Sequence, residues 1–402
     1  MSAGVRVVIG GAYGDEGKGL ATDLFSAKAS PTIVIKHNGG AQAGHTVELP
    51  EGKRFVFHAL SAGSFRGADT LWADTFLPDL YKLSEEVEEF RELTGTVPHI
   101  YACEDTCVTL IDDVLMNMAA ETARGEARHG SCGMGIYEAT LRSRTGFGIT
   151  VKQVKEWGTE RLVAYMKTVR RNYLPKRLKE LGLTECNLGE YGELLSLEDV
   201  LKNAATEMKR GGNLVTLIRD KKSFVENYGN IIFESGQGLL LDWDWKPGLP
   251  YVSASKTGLT NPMRFLESCG LEPEEVIYVI RSYLTRHGAG PLPHECGAEA
   301  IGEILKDETN VPNPWQGNLR YSLHASPDAM LAPIREDRKG LPANIKVSLL
   351  ITHLNETAGR IAFATGKMSV DEFIKLPDVK KIFHRLYLSS TKYAQGVTET
   401  DL

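Results

Sequence analysis

No two of the six cysteines stand in the C-x-x-C spacing of a zinc or dithiol motif. Cys103, Cys107, Cys132, Cys186, Cys269 and Cys296 are scattered through 402 residues. With no secretory leader at the N-terminus they read as reduced thiols of a soluble cytoplasmic protein, not as a disulfide frame. No apolar run approaches the roughly 18 residues that a membrane-spanning helix needs. A broad basic surface is missing too: 46 Lys and Arg face 52 Asp and Glu, a net charge of −6. That balance argues against general nucleic-acid binding. No repeat or low-complexity linker marks a boundary. The chain is therefore expected to be one α/β domain over 1–402, with the helix-rich, charged stretch at 150–225 as an insertion or cap.

What the chain has is a series of glycine-rich loops, each fed by a short apolar run. Val5-Arg6-Val7-Val8-Ile9 reads as a buried strand and Leu20-Ala21-Thr22-Asp23-Leu24-Phe25 as the first turns of a helix. Between them lies Gly10-Gly11-Ala12-Tyr13-Gly14-Asp15-Glu16-Gly17-Lys18-Gly19. Such a turn wraps backbone N–H groups around a phosphate, with the positive end of the helix behind them. The usual phosphate loop, G-x-x-x-x-G-K-[ST], is broken twice. Ala12 replaces its first glycine, and Gly19 replaces the hydroxyl that would hold magnesium. Asp15 is the obvious alternative metal ligand.

The pattern repeats along the chain. Thr32-Ile33-Val34-Ile35-Lys36 leads into a loop from His37 to Thr46 that carries Gln42, Gly44 and His45. Asn230-Ile231-Ile232-Phe233-Glu234 feeds Ser235-Gly236-Gln237-Gly238. Val276 to Ile280 ends near Thr285-Arg286-His287-Gly288, and Val347 to Ile351 ends at Thr352-His353-Leu354-Asn355. Residues 55–77 read as mixed strand and turn, and 78–93 and 110–124 as helices, the first with an acidic solvated face. A third small-residue loop, Gly130-Ser131-Cys132-Gly133-Met134-Gly135, is followed by Arg142 and Arg144. Buried runs alternating with helices predict a large, mostly parallel sheet with a ligand site at the carboxyl ends of its strands.

Gly14-Asp15-Glu16-Gly17-Lys18-Gly19, together with Gly39-Gly40-Ala41-Gln42-Ala43-Gly44-His45-Thr46, resembles adenylosuccinate synthetase. The blocks 233–238, 250–255 and 284–291 continue the resemblance in the family's order, from residue 5 to about residue 355. It implies a phosphate-loop-like α/β fold, a homodimer, and a ligase that uses GTP or ATP with Mg2+. Such an enzyme phosphorylates the 6-oxo group of an IMP-like mononucleotide and displaces the phosphate with an amino acid amine, usually aspartate. Catalytic roles carried over are Asp15 as N1 base and metal ligand, His45 as donor to the phosphoryl oxygens, Gln237 at the 6-oxyanion, and Lys18 holding the triphosphate. Triphosphate binding falls to Gly14, Glu16, Gly17, Lys18, Gly19, Gly44, His45, Thr46, Thr352 and Asn355, with the Gly44 carbonyl on the metal. Mononucleotide binding falls to Asp15, Gln42, Ser131, Cys132, Gln237, Ser253, His287 and Gly288, with Arg142 or Arg144 reaching in from the partner subunit.

The sequence also departs from the family pattern. Ala41-Gln42 replaces histidine-asparagine, and Ser131-Cys132 replaces paired threonines. A run of arginines that clamps the carboxylates of aspartate is reduced, within Asn313 to Tyr321, to Arg320. Gln316, Asn318 and Arg286 are the remaining amino-donor candidates. The guanine-reading aspartate is replaced by Asn355. A phage branch of the family exchanges the loop aspartate for serine to admit a 2-amino group, so Asp15 favours a purine without one. The alternatives are a paralogue with another amine or 6-oxopurine, and a non-catalytic nucleotide-binding homologue.

Overall fold

Short unbroken apolar runs are what a strand covered on both faces requires, and they form the centre of this fold. The computed structural model describes residues 4–27, 31–184, 187–304, 310 and 315–402. Cys186, Asn313 and Pro314 lie outside the described residues. Ten strands make one sheet: β1 (Gly4–Gly10), β2 (Thr32–Lys36), β3 (Asp69–Trp72), β4 (Ile100–Cys103), β5 (Val215–Ile218), β6 (Asn230–Gly238), β7 (Glu275–Arg281), β8 (Lys346–Thr352), β9 (Arg385–Ser389) and β10 (Val397–Asp401). Their spatial order is β10-β9-β8-β7-β1-β6-β2-β3-β4-β5. Neighbours are parallel throughout except the last pair, β9 and β10.

Alternation along the central strands divides the core. Val8, Val34, Ile232, Ile277 and Leu350 face Ala21 and Phe25 of α1 (Lys18–Ser26). Val7, Ile9, Ile33, Phe233 and Tyr278 point the other way, against Phe265, Leu266, Leu331 and Ile334. Each such side chain taken fully from water contributes about 1.5–3 kcal/mol, so the middle of the sheet is rigidly fixed. The carboxyl ends of β8, β7, β1, β6 and β2 then lie side by side along one edge. The glycine-rich loops leave from that edge.

The helix expected from residue 78 begins at Leu83 (α2, Leu83–Thr94), because residues 78–82 form turns in which Asp79 accepts the Lys82 N–H. The next helix, α3 (Ile111–Arg124), is followed by α4 (Ile136–Ser143). Five helices between Val151 and Asn213 build a cluster of their own with α2, α3 and the hairpin of His45–Glu48 and Arg54–Phe57. The chain then returns to the sheet as its edge strand β5. Among the described residues no helix is long and apolar enough to cross a membrane.

Candidate active site

The loops at the carboxyl ends enclose a cleft of about 1250 Å3. The loop after β1 supplies Gly14, Asp15, Gly17, Lys18 and Gly19 to its wall, and the loop after β2 supplies Gln42, Gly44, His45 and Thr46. Ser131 and Cys132 enter from the α3–α4 connection, where the Glu121 carboxylate accepts the Gly130 N–H (2.7 Å) and Asn117 bonds the Ser131 hydroxyl (2.9 Å). Burial pushes the Cys132 thiol up, so it stays protonated. Gln237, Ser253, Arg286, His287, Gln316, Thr352 and Asn355 complete the expected residues that line the cleft.

Two of these stand out by their backbones. Asp15 (φ 58°) and Gln237 (φ 63°) are non-glycine residues in the left-handed region, a conformation that costs of order 1–3 kcal/mol and persists only where the surroundings impose it. The turn that creates it begins at β1, and α1 starts on Gly17, itself left-handed at φ 96°. The Asp15 carboxylate lies 3.6 Å from His287 Nε2, whose other described contact is Asn310 Oδ1 at 2.8 Å.

His45 is buried against a charged pair. Its Nδ1 lies 3.0 Å from Glu234 Oε1, and Lys36 Nζ lies 3.3 Å from Glu234 Oε2. Burial would raise Glu234, but the neighbouring His45 ring and the Lys36 ammonium outweigh it and hold the carboxyl at about 2. Burial lowers His45, against the pull of Glu234. The pair therefore rests as a carboxylate beside a neutral imidazole. Among the described residues both ring nitrogens of His45 are buried without a hydrogen-bond partner, the state in which an arriving phosphoryl group finds an unsatisfied ring nitrogen.

Several expected contacts are corrected by the geometry. Glu16 does not face the cleft. Its carboxylate turns into the loop, accepts the N–H groups of Ala12 (3.0 Å) and Gly14 (2.8 Å), and pairs with Lys18 Nζ at 2.7 Å. It shapes the loop and sets the lysine. Arg142 is fully buried, bound to Asp113 (2.9 Å) and to the carbonyls of Val108 (2.8 Å) and Phe147 (2.5 Å), so it does not reach out to another subunit. Arg144 is exposed and lies over the Trp243 ring at 5.1 Å, outside its own cleft. Gly288 packs against Gly130, where a Cβ would meet the Gly130 oxygen at 2.3 Å; it is structural mortar between loops.

The amino-donor candidates separate in the same way. Arg320 spends its donors on Glu295 (Nε, 2.8 Å) and on the carbonyls of Gly288 (3.0 Å) and Gly290 (2.9 Å), and does not line the cleft. Asn318 is exposed and also lies outside it. Gln316 lines the cleft and donates to the Gly130 carbonyl (3.3 Å). Arg286 is 2% exposed, stacked on Tyr13 at 4.7 Å, and hydrogen-bonded to the Pro291 and Tyr251 carbonyls. Among the described residues no carboxylate pairs with Arg286, and its Nε is buried without a partner. Its charge therefore stands beside the cleft wall without a carboxylate to offset it.

The comparisons with known proteins follow this layout. The family model for adenylosuccinate synthetase matches residues 7–311. The chain belongs to the adenylosuccinate synthetase family. Adenylosuccinate synthetase of Thermosipho africanus (strain TCF52B) is 30% identical over 307 residues, 75% of this chain and 69% of that protein. The adenylosuccinate synthetase of Nostoc punctiforme is 31% identical over 317 residues, 75% of this chain and 64% of that protein. The matches thus span about two thirds of the relatives' length. Fully ligated adenylosuccinate synthetase from Plasmodium falciparum shares the fold at a TM-score of 0.70 and 17% identity, covering 98% of this chain and 99% of that one. Cyanophage S-2L succinoaminodeoxyadenylate synthetase, solved with dGMP and with dATP as an energy donor, gives 0.63 at 15% identity, covering 100% and 96%. Members of the adenylosuccinate synthetase family are nucleoside-triphosphate-dependent C–N ligases.

Sequence reasoning missed Arg281, Tyr283, Glu356, Lys392 and Tyr393, all of which line the cleft. An Arg and a Tyr two apart at the carboxyl end of a strand share one face, and that was the available signal for the first two. Lys392 is brought in by its pairing with Glu48, a contact across the whole chain that no local pattern announces.

Proposed function

We propose that the protein is a ligase that activates the 6-oxo group of an IMP-like mononucleotide with a nucleoside triphosphate and replaces it with an amine. The observation that carries the reading is the convergence of Asp15, Lys18, His45 and Gln237 on one cleft, with Asp15 and Gln237 held left-handed. Binding alone needs neither a base nor a strained backbone. Asp15 takes the N1 proton as O6 attacks the terminal phosphoryl group, and Gln237 stabilises the oxyanion. Lys18 neutralises charge on the phosphoryl oxygens, His45 donates a hydrogen bond to them, and the amine then attacks C6 as phosphate leaves with O6.

The donor set also fits Mg2+, which is held by one or two carboxylates plus substrate phosphates. Asp15 and Gly44 line the cleft wall; the Asp15 carboxylate and the Gly44 carbonyl would hold the metal, and a metal held there would supply charge neutralisation. The active form is a homodimer in which Arg144 completes the partner's mononucleotide site.

Incubation with IMP, GTP or ATP, Mg2+ and a panel of amino acids, with phosphate release and product mass both recorded, tests this. A succinyl adduct of IMP is expected with aspartate. Triphosphate hydrolysis without any adduct overturns the reading. One observation favours a second amine: the self-satisfied Arg320 leaves Arg286 as the clearest anion site, enough for a donor with one carboxylate. Robust succinyl-adduct formation at sub-millimolar aspartate overturns that second reading.

The phosphate donor turns on Asn355, exposed at the cleft wall beside His353. Burial holds His353 far below the usual histidine range, so it is neutral, and its Nδ1 lies 2.8 Å from Thr352 Oγ1. An aspartate facing guanine accepts from both N1–H and the 2-amino group; a neutral amide cannot. It can instead donate to adenine N1 and accept from the 6-amino group. Losing the charged pair costs about 1.5–3 kcal/mol. ATP is therefore expected to support turnover at least as well as GTP, and Asn355→Asp to move preference toward GTP. A parent enzyme with much higher kcat/KM for GTP contradicts this.

A further inference from the structure

Three side chains of the cleft wall, none adjacent to another in sequence, form a line from the donor-base segment to Asp15. Arg281 ends β7, and its Nε donates to the Asp15 carbonyl oxygen at 2.5 Å. Arg281 Nη1 donates to the Tyr283 hydroxyl at 2.8 Å, and that hydroxyl donates in turn to Glu356 Oε2. All three are buried, at 7%, 0% and 6% exposure. Burial raises the Tyr283 phenol, so it keeps the proton that this direction of donation requires.

Glu356 follows Asn355 in the short helical turn Leu354–Thr357. The segment is clasped to its surroundings twice more. Thr352 Oγ1 donates to the Glu16 carbonyl (2.7 Å), and Ser282 Oγ donates to the His353 carbonyl (2.9 Å). The loop that carries the left-handed Asp15 is thus held through its own carbonyls, at Glu16 by Thr352 beside that segment and at Asp15 by Arg281 of β7.

We propose that Arg281, Tyr283 and Glu356 are positioning residues that couple the donor-base pocket to Asp15. A donor base seated on residues 353–356 fixes Glu356, Glu356 orients Tyr283, and Arg281 then holds the Asp15 carbonyl so that its carboxylate points at the mononucleotide. The inference rests on the proposed function, because it takes Asp15 as the mononucleotide base and residues 353–356 as the donor-base site. It adds that each nucleotide tightens the binding of the other. By linkage the effect is reciprocal.

The test measures IMP affinity by calorimetry, with and without a non-hydrolysable ATP or GTP analogue, in the parent and in Tyr283→Phe, Glu356→Gln and Arg281→Met. In the parent the analogue should tighten IMP binding by at least about fivefold. In each variant that retains a cooperative melt, this ratio should fall to within about twofold, with kcat reduced and each nucleotide still bound alone. A purely structural role would lower melting temperature and leave the ratio intact. An intact ratio in any two of the variants overturns the proposal, and so does a parent that turns over without coupling. A parent that binds neither nucleotide and forms no adduct overturns the proposed function, and this inference with it.

Discussion

Asp15→Asn is expected to lose at least about a thousandfold in adduct formation while remaining folded. General-base removal alone costs about 10²–10⁴-fold, and the same carboxylate is also the candidate metal ligand. Asparagine is the informative replacement because it tolerates positive φ, whereas alanine at φ 58° adds roughly 1–2 kcal/mol of backbone cost. The only described ion-pair contact of the side chain is His287 at 3.6 Å, so little stability is at stake. Rates of adduct formation with IMP, alongside thermal melts of both variants, check the prediction. Activity within about tenfold of the parent, roughly 1.4 kcal/mol in barrier, contradicts the role.

The centre of the sheet was legible in the sequence for a simple reason. A parallel strand covered on both faces has no polar face, so Val5 to Ile9, Thr32 to Lys36, Asn230 to Glu234, Val276 to Ile280 and Val347 to Ile351 announce themselves. Strands nearer the edges do not. Ile100–Cys103 and Val215–Ile218 are four residues each, and Val397–Asp401 is mostly exposed Thr, Glu and Asp. The last pairs antiparallel with Arg385–Ser389 at the rim, where half-solvated side chains give no apolar signal.

The site was legible as loops and residue types, and illegible as partnerships. Glu16, Arg142 and Arg320 all sit in motifs that bind phosphates or carboxylates, and each is satisfied inside the protein. Glu16 is bound by loop N–H groups, Arg142 by Asp113, and Arg320 by Glu295 and two carbonyls. A motif specifies that a charge is present near a strand end. Only the packing of distant segments decides whether that charge is spent at home. Arg286 is the converse case, a guanidinium that the fold buries without a carboxylate among the described residues.

The second large effect separates Arg142 from Arg144. Arg142 and Asp113 are both fully buried and joined by Nε and Nη2 contacts of 2.9 Å. Truncating one partner of such a pair leaves an uncompensated buried charge and costs about 3–5 kcal/mol. Arg142→Ala is therefore expected to lower the denaturant midpoint sharply or fail to fold, since Asp113 also accepts the Leu110 N–H at the start of α3. Arg144 is exposed, and its place over Trp243 is worth about 0.5–1 kcal/mol. Arg144→Ala should keep nearly the parental midpoint and still lose turnover if the side chain enters a partner's site. Mixed with Asp15→Asn under conditions of subunit exchange, it should then recover activity, because a hybrid dimer pairs one intact arginine with one intact base. Denaturant melts of both arginine variants, and activity of the mixture against each variant alone, decide the matter. A stable Arg142→Ala protein that is inactive alone and rescued in the mixture would return the crossing role to Arg142.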